Sequence, residues 1–477
     1  MRMRLAFTGA SMLALSGCIS MAPQAEVPEV VSAMPESFRD TEVDGDYRPA
    51  AWWTAFEDPV LNALVDGALD ANLDIAQAAA RAERAAAQAR VSRAGLLPTL
   101  DVSAGASYQD NPLSGGAFSN FPGAPTRLSN ESYSLGLAAS YELDLFGKVR
   151  DDFRAARADA LAAEQDYRSA RLATVAEVIS AYFDMVDARY QIENTRRTLN
   201  VLRDRAARTD ERYRRGLAQS FELYQIRQEL RGTEANLPQR ETALAAAEGR
   251  LALLLAEYPQ ALDDLLAEPL QPRLSFAPVP SGMPADLLTQ RPDVAAAWER
   301  LEAARLRIGA RRAERFPRLS LSASTGTQGG EVGDVVEFGN NWLLQLGANI
   351  VAPIIDGGRI NANIRAARAS YDEAAAAYGQ AVLNAWREVE LASVEYEQQR
   401  TRYSLIHAQL AEAEASADVQ AERYRAGVAD YTAYLDALRA QYQVESSLSA
   451  AGRDVALARL GLHRALGGDW EDEGTMQ

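Results

Sequence analysis

The stretch SYSLGLAASYELD, Ser132 to Asp144, alternates with strand periodicity. Tyr133, Leu135, Leu137, Ala139, Tyr141 and Leu143 fall on one face, and Ser132, Ser134, Gly136, Ser140, Glu142 and Asp144 on the other. Three further stretches repeat the pattern. Leu100, Val102, Ala104, Ala106 and Tyr108 oppose Asp101, Ser103, Gly105 and Ser107. Leu319, Leu321 and Ala323 oppose Ser320, Ser322 and Ser324. Trp342, Leu344, Leu346, Ala348 and Ile350 oppose Gln345, Gly347 and Asn349. Strands are expected over about 99–109, 132–144, 318–326 and 342–352. Segments of about ten residues bordered by aromatics suit tilted strands of an outer-membrane barrel. A soluble sheet lying on helices gives the same alternation, so the decision rests on the rest of the chain.

The N-terminus favours the membrane. MRMRLAFTGASMLALSGC (Met1 to Cys18) has two arginines, an apolar run and small residues at its end, the layout of a secretory signal peptide over residues 1–17. Leu15-Ser16-Gly17-Cys18 resembles the bacterial lipobox, which marks Cys18 for acylation, and Cys18 is the sole cysteine of the chain. Ile19 rather than Asp follows it, which in sorted lipoproteins implies the outer membrane. Residues 18–50, rich in Pro, Glu and Val, are expected to form an extended acylated linker.

The chain is written twice. Leu73 to Gly105 runs parallel to Pro292 to Ser324 at an offset of 219. RAARA recurs at Arg154 and Arg365, and ERYRRG (Glu211 to Gly216) returns as ERYRAG (Glu422 to Gly427), both at an offset of 211. Each half reads helix, strand pair, long helix, tip, return helix, over 51–270 and 271–467. Ile360, Ile364, Ala367, Tyr371, Ala374, Tyr378, Ala381 and Ala385 step by four and three, a coiled-coil seam rich in alanine. The runs Val149 to Arg215 and Ile360 to Arg425 contain no proline, so each helix could extend roughly 100 Å. Gly216 and Gly427 are expected to stop them, and return helices to run over Phe221–Leu255 and Thr432–Leu466. The end of the chain, 468–477, is an acidic tail expected to be disordered.

Composition narrows the function. The 477 residues are 48 % hydrophobic and carry a net charge of −17, which disfavours nucleic acid as a partner. With one cysteine and only His407 and His463 for imidazoles, no metal site and no cofactor is expected. No GxSxG, HExxH or phosphate-binding loop occurs, so the chain is expected not to be an enzyme. Asp263-Asp264 sits in a Leu-rich connection and reads as turn acids. Four strands cannot close a barrel, and an open edge in lipid leaves backbone groups unpaired, so copies must join. Two or three copies would both suffice by this argument.

WWTAFEDPVLNALVDGALDANLDIAQAAAR (Trp52 to Arg81), LLTQRPDVAAAWERLEAARLRIGARRAERFPRLSL (Leu287 to Leu321), ELDLFGKVR (Glu142 to Arg150) and RYRAGVADYTAYLDA (Arg423 to Ala437) together resemble the TolC-type outer-membrane efflux factors, in their OprM/NodT lipoprotein branch. The resemblance covers essentially everything after Cys18. It implies a mainly α protein with membrane β: a homotrimer whose twelve-stranded barrel, four strands per chain, is continued by a long α-helical coiled-coil barrel through the periplasm. The implied function is the exit duct of a tripartite efflux system in the cell outer membrane, conducting small molecules such as drugs from an inner-membrane pump of the resistance-nodulation-division class through a periplasmic adaptor. A channel for type I protein secretion with an ABC transporter, and a structural coiled-coil lipoprotein without a bore, remain the alternatives. In such systems the choice of substrate is expected to lie mostly with the pump rather than with a passive duct.

The same resemblance places a periplasmic gate at the tip. Glu222, Tyr424 and Asp436 match its positions, with Asp436 contributing to a ring of negative charge. Thr432 stands where OprM-like members carry a gating leucine, and Ala429 where TolC carries an arginine, so the seal is expected to lean on Tyr431 and Tyr434. Arg214, Gly216, Leu217, Arg425, Gly427 and Val428 are the expected adaptor-contacting tips.

Overall fold

The computed structural model of the chain describes residues 20–35, 37–38, 51–112, 127–262, 291–337, 339 and 341–468. Cys18, the signal peptide, Asp263-Asp264 and nearly all of the acidic tail lie outside the described residues. The elements are α1 (Glu29–Ser32), α2 (Pro59–Ala71), α3 (Leu73–Ala94), β1 (Thr99–Pro112), β2 (Arg127–Leu143), α4 (Lys148–Arg214), α5 (Ser220–Leu254), α6 (Pro292–Ala313), β3 (Arg318–Gly329), β4 (Trp342–Val351), α7 (Arg359–Arg425) and α8 (Tyr431–Ala465).

The duplication is visible in the bounds. Helices α4 and α7 each have 67 residues, α5 and α8 each 35, and α3 and α6 each 22. Equal lengths follow from equal stop signals, since each half punctuates its helices alike, at an offset of 211 for the long and return helices and 219 for the helix before the strands. Pro238 sits inside α5 without ending it, although it offers no N–H to the carbonyl four residues earlier; one turn on, the Thr242 hydroxyl donates to Pro238 O at 2.8 Å.

The chain divides into two compact units. One holds Glu83–Ala162, Trp298–Ala376 and the chain up to Val27. Its sheet is four-stranded and antiparallel in the order β1-β2-β3-β4. Both faces of this sheet are largely exposed in the single chain, including Leu100, Val102, Leu344, Leu346 and Ile350 on the apolar side. The strand pair β1·β2 runs past the expected lengths, from Thr99 opposite Ser140 to Pro112 opposite Arg127, and an Asp110–Arg127 ion pair at 2.6 Å closes its far end. Polar residues there broke the apolar alternation that marked the expected strand ends, yet the backbone ladder continues without it.

The first described residues, Ser20 to Glu26, hydrogen-bond to the helices beside them. Ser20 Oγ donates to the buried Asp151 Oδ2 at 2.8 Å, Arg312 and Arg305 of α6 donate to the carbonyls of Met21 and Pro23, and Glu26 N donates to the Tyr371 hydroxyl of α7. Gly309 of α6 is what allows this approach, because a Cβ there would lie 2.6 Å from Ala22 N.

The second unit, Pro28–Ala82, Ala163–Ala297 and Ala377–Gln477, contains the largest core. Trp52, Phe56, Leu61, Leu64, Val175, Ile179, Tyr182, Phe183, Met185 and Leu251 are almost fully buried in it. Asp58 caps α2 by accepting from Val60 N and Leu61 N at 2.9 and 3.1 Å, and its other oxygen takes the Tyr182 hydroxyl at 2.5 Å. His463 stacks on Trp52 at 4.9 Å, and burial pushes its pKa down to about 3. A neutral imidazole at every physiological pH serves packing here.

Candidate functional site

The repeated hexapeptide forms the same turn twice. At the end of α4, Gly216 N donates to Tyr213 O at 2.9 Å and Leu217 N to Arg212 O at 2.8 Å. At the end of α7, Gly427 N donates to Tyr424 O at 3.0 Å and Val428 N to Arg423 O at 2.9 Å. Both are Schellman caps, and both need the left-handed glycine that the motif supplies, with φ of 71° and 74°. Arg212, Arg214, Arg423 and Arg425 occupy the last turns, where cations suit the helix dipole. The residue after each glycine is aliphatic and turned to solvent, Leu217 at 65 % and Val428 at 67 % exposure.

Beyond the second cap, Asp430 caps α8 by accepting from Thr432 N at 3.3 Å. Three tyrosines meet at this corner. Tyr424 and Tyr431 have ring centroids 4.8 Å apart, Tyr424 and Tyr434 stack at 6.3 Å, and Tyr431 and Tyr434 lie at 6.0 Å. Thr432 is half-buried on the same turn. Glu222 stands exposed in the first turn of α5.

Helix α4 holds the corner through residues that the sequence reading passed over. The Tyr431 hydroxyl donates to Asp204 Oδ2, Arg208 Nε donates to the same carboxylate at 3.1 Å, and the Arg208 guanidinium lies over the Tyr431 ring at 4.1 Å. One turn further along α8, Arg205 pairs with Asp436 at 2.6 Å. Burial pushes the Tyr431 hydroxyl up to about 12, helped by the Asp204 charge. Burial works against the Asp204 carboxylate, but the bonds from Tyr431 and Arg208 outweigh it and hold its pKa below the ordinary value. Asp436, which the resemblance expects to contribute to a ring of negative charge, faces the Arg205 guanidinium within its own chain. A signal existed: Asp204, Arg205 and Arg208 break the repeat, their counterparts at the same offset being Ala415, Ser416 and Val419.

A sheet with an exposed apolar face, joined to two duplicated hairpins of very long helices, is the fold of the trimeric TolC-type outer-membrane channels. The family model described as outer membrane efflux protein matches residues 64–257 and 283–468, and the chain belongs to that family. Outer membrane protein OprJ of Pseudomonas aeruginosa is 34 % identical over 465 residues, covering 96 % of this chain and 94 % of its own. The pyoverdine export outer membrane protein OpmQ of the same organism is 31 % identical and covers 88 % of each. Among solved structures, the CmeC outer membrane channel of Campylobacter jejuni superposes with a TM-score of 0.85 at 26 % identity, covering 96 % of both chains. The protein is therefore an outer-membrane component of an efflux pump, in a family of channels rather than of enzymes.

Proposed function

We propose that three copies form the passive exit duct of a tripartite small-molecule efflux system, receiving substrates from an inner-membrane pump of the resistance-nodulation-division class through a periplasmic adaptor. In this reading residues 1–17 are removed, Cys18 carries the lipid, residues 18–50 lead to two repeats over 51–270 and 271–467, and 468–477 is a tail. The observation that carries it is the pair of identical caps. Six such tips, two per copy, would present a ring of repeating surfaces, each an exposed aliphatic residue beside arginines: Leu217 with Arg214, and Val428 with Arg425. An exposed apolar side chain rimmed by charge suits docking of another helical tip.

Just behind those tips the tyrosine corner narrows the duct, and its ties to α4 set how readily it opens. Glu222 and Asp436 supply acidic character near the mouth, with Asp436 tempered by Arg205. The test is efflux in cells lacking the native gene. The double variant Leu217→Asp, Val428→Asp is expected to insert and assemble normally yet lose resistance to the exported compounds. Full resistance with the double variant would remove the caps from adaptor docking. Acyl modification is read separately: mass spectrometry of the mature N-terminal peptide should find lipid on Cys18 and none in Cys18→Ser.

A further inference from the structure

The outer edges of β1 and β4 have no strand partner among the described residues. In hydrocarbon each backbone group left open costs several kcal/mol, so these edges require one. The internal duplication specifies which partner and in what register. Thr99 and Arg318 are equivalent through the repeat, each following the proline that opens a strand. Thr99 faces Ser140 and Arg318 faces Val351, so Ser140 and Val351 are equivalent too, at the same spacing that relates α4 to α7. The β2·β3 pairing is then the junction from the end of one repeat to the start of the next.

Carrying that junction from the second repeat of one copy to the first repeat of another converts each β2·β3 pair into a β4·β1 pair. Tyr133 opposite Gly329 becomes Leu344 opposite the partner's Asp110; Ala139 opposite Ala323 becomes Ile350 opposite the partner's Ala104; Leu143 opposite Leu319 becomes Ile354 opposite the partner's Leu100. The geometry points to a seam between copies in this register, with Leu346 against the partner's Tyr108 and Ala348 against the partner's Ala106 on the apolar face. On the other face Gln345 meets the partner's Gln109 and Val351 the partner's Ser103. This assignment rests on reading the chain as a multi-copy channel, and adds the residue-level contact that seals it.

Two observations that played no part in the transfer agree with it. From Leu346 to Ile354 apolar residues fall opposite apolar residues on the lipid side, with Leu344 against the partner's Asp110 marking its end, whereas a slip of one residue would set Leu346 against Ser107 or Gln109. The register also carries the ladder beyond Val351, bringing Ile354, 93 % exposed in the single chain, onto Leu100, itself 71 % exposed. The equivalent in-chain pair, Leu143 and Leu319, is half-buried.

Disulfide mapping in the full-length, membrane-inserted protein tests this. Cys18 is the only native cysteine, so engineered pairs report alone. Directly opposed residues place Cβ atoms about 4.5–5.5 Å apart and diagonal ones about 7–8 Å, and only the former approaches disulfide reach. Within one chain β1 and β4 lie three strand spacings apart, about 14 Å, so any bond joins copies. The variants Gln109→Cys with Gln345→Cys, and Ser103→Cys with Val351→Cys, are expected to convert to covalent dimers and trimers under mild oxidation. Gln345→Cys combined with Ser107→Cys or Asn111→Cys should link at least tenfold more slowly. A shifted pair linking as fast as its matched pair overturns the register. Trimers of correct mass in which neither matched pair links also overturn it while leaving the channel reading in place; a monomer overturns both.

Discussion

Replacing Tyr431 by Phe removes one hydroxyl from the tip and leaves the ring. The lost bond runs to Asp204, and hydrogen bonds to charged groups contribute about 1.5–3 kcal/mol when shielded from water. The Asp204 side chain is 44 % exposed, which brings the figure down to about 1 kcal/mol per copy. If three copies open together, the closed state loses about 3 kcal/mol, and the open population rises roughly a hundredfold. In planar bilayers the variant should show far more frequent or larger conductance steps than the parent at pH 7. The sign of the pH dependence follows from the depressed Asp204 pKa: the tie is complete above the ordinary carboxylate value of about 3.9 and is lost as pH falls through the lower folded value. Parent channels should therefore open in acid, below about pH 4, and Asp204→Asn should abolish that response. Unchanged conductance in Tyr431→Phe, with trimers intact, would refute the reasoning, since the ring stacking alone would then be holding the corner.

Asp436→Ala is expected to lower cation selectivity by more than the loss of one charge, because Arg205 is then left without its carboxylate partner, while Arg205→Ala should raise it; reversal potentials across a KCl gradient report both. Asp58→Ala removes a helix cap of about 1 kcal/mol and strands the buried Tyr182 hydroxyl at about 1–3 kcal/mol, so thermal unfolding followed by circular dichroism should shift clearly downward. Gly427→Val forces a β-branched residue to a φ of 74°, at about 1–3 kcal/mol, and should expose the tip to limited proteolysis, whereas Gly427→Asn should be tolerated.

The fold was legible because its signals are local and periodic. Alternation at Ser132 to Asp144 and the four-three spacing from Ile360 to Ala385 reflect side-chain direction alone, and the glycines of ERYRRG and ERYRAG mark a backbone conformation few other residues accept. Strand ends were less legible, since β1·β2 pairing continues through Asp110 and Arg127 on backbone bonds that no apolar pattern announces. The tip network was half legible. Tyr424, Tyr431 and Tyr434 lie within eleven residues of one another, but their anchor at Asp204, Arg205 and Arg208 is more than two hundred positions away, and ion pairs leave no periodicity. Docking of Ser20 to Asp151 was equally hidden, because one hydroxyl meeting one carboxylate across the fold has no sequence signature.

The central claim is that each chain carries too little sheet to stand alone in a bilayer and shares a water-filled bore with two others. Electron-microscopic imaging of the detergent-purified, lipid-modified protein tests this most directly. The account expects a particle with threefold symmetry around an open central axis. Particles of single-chain mass with no axial opening would contradict it.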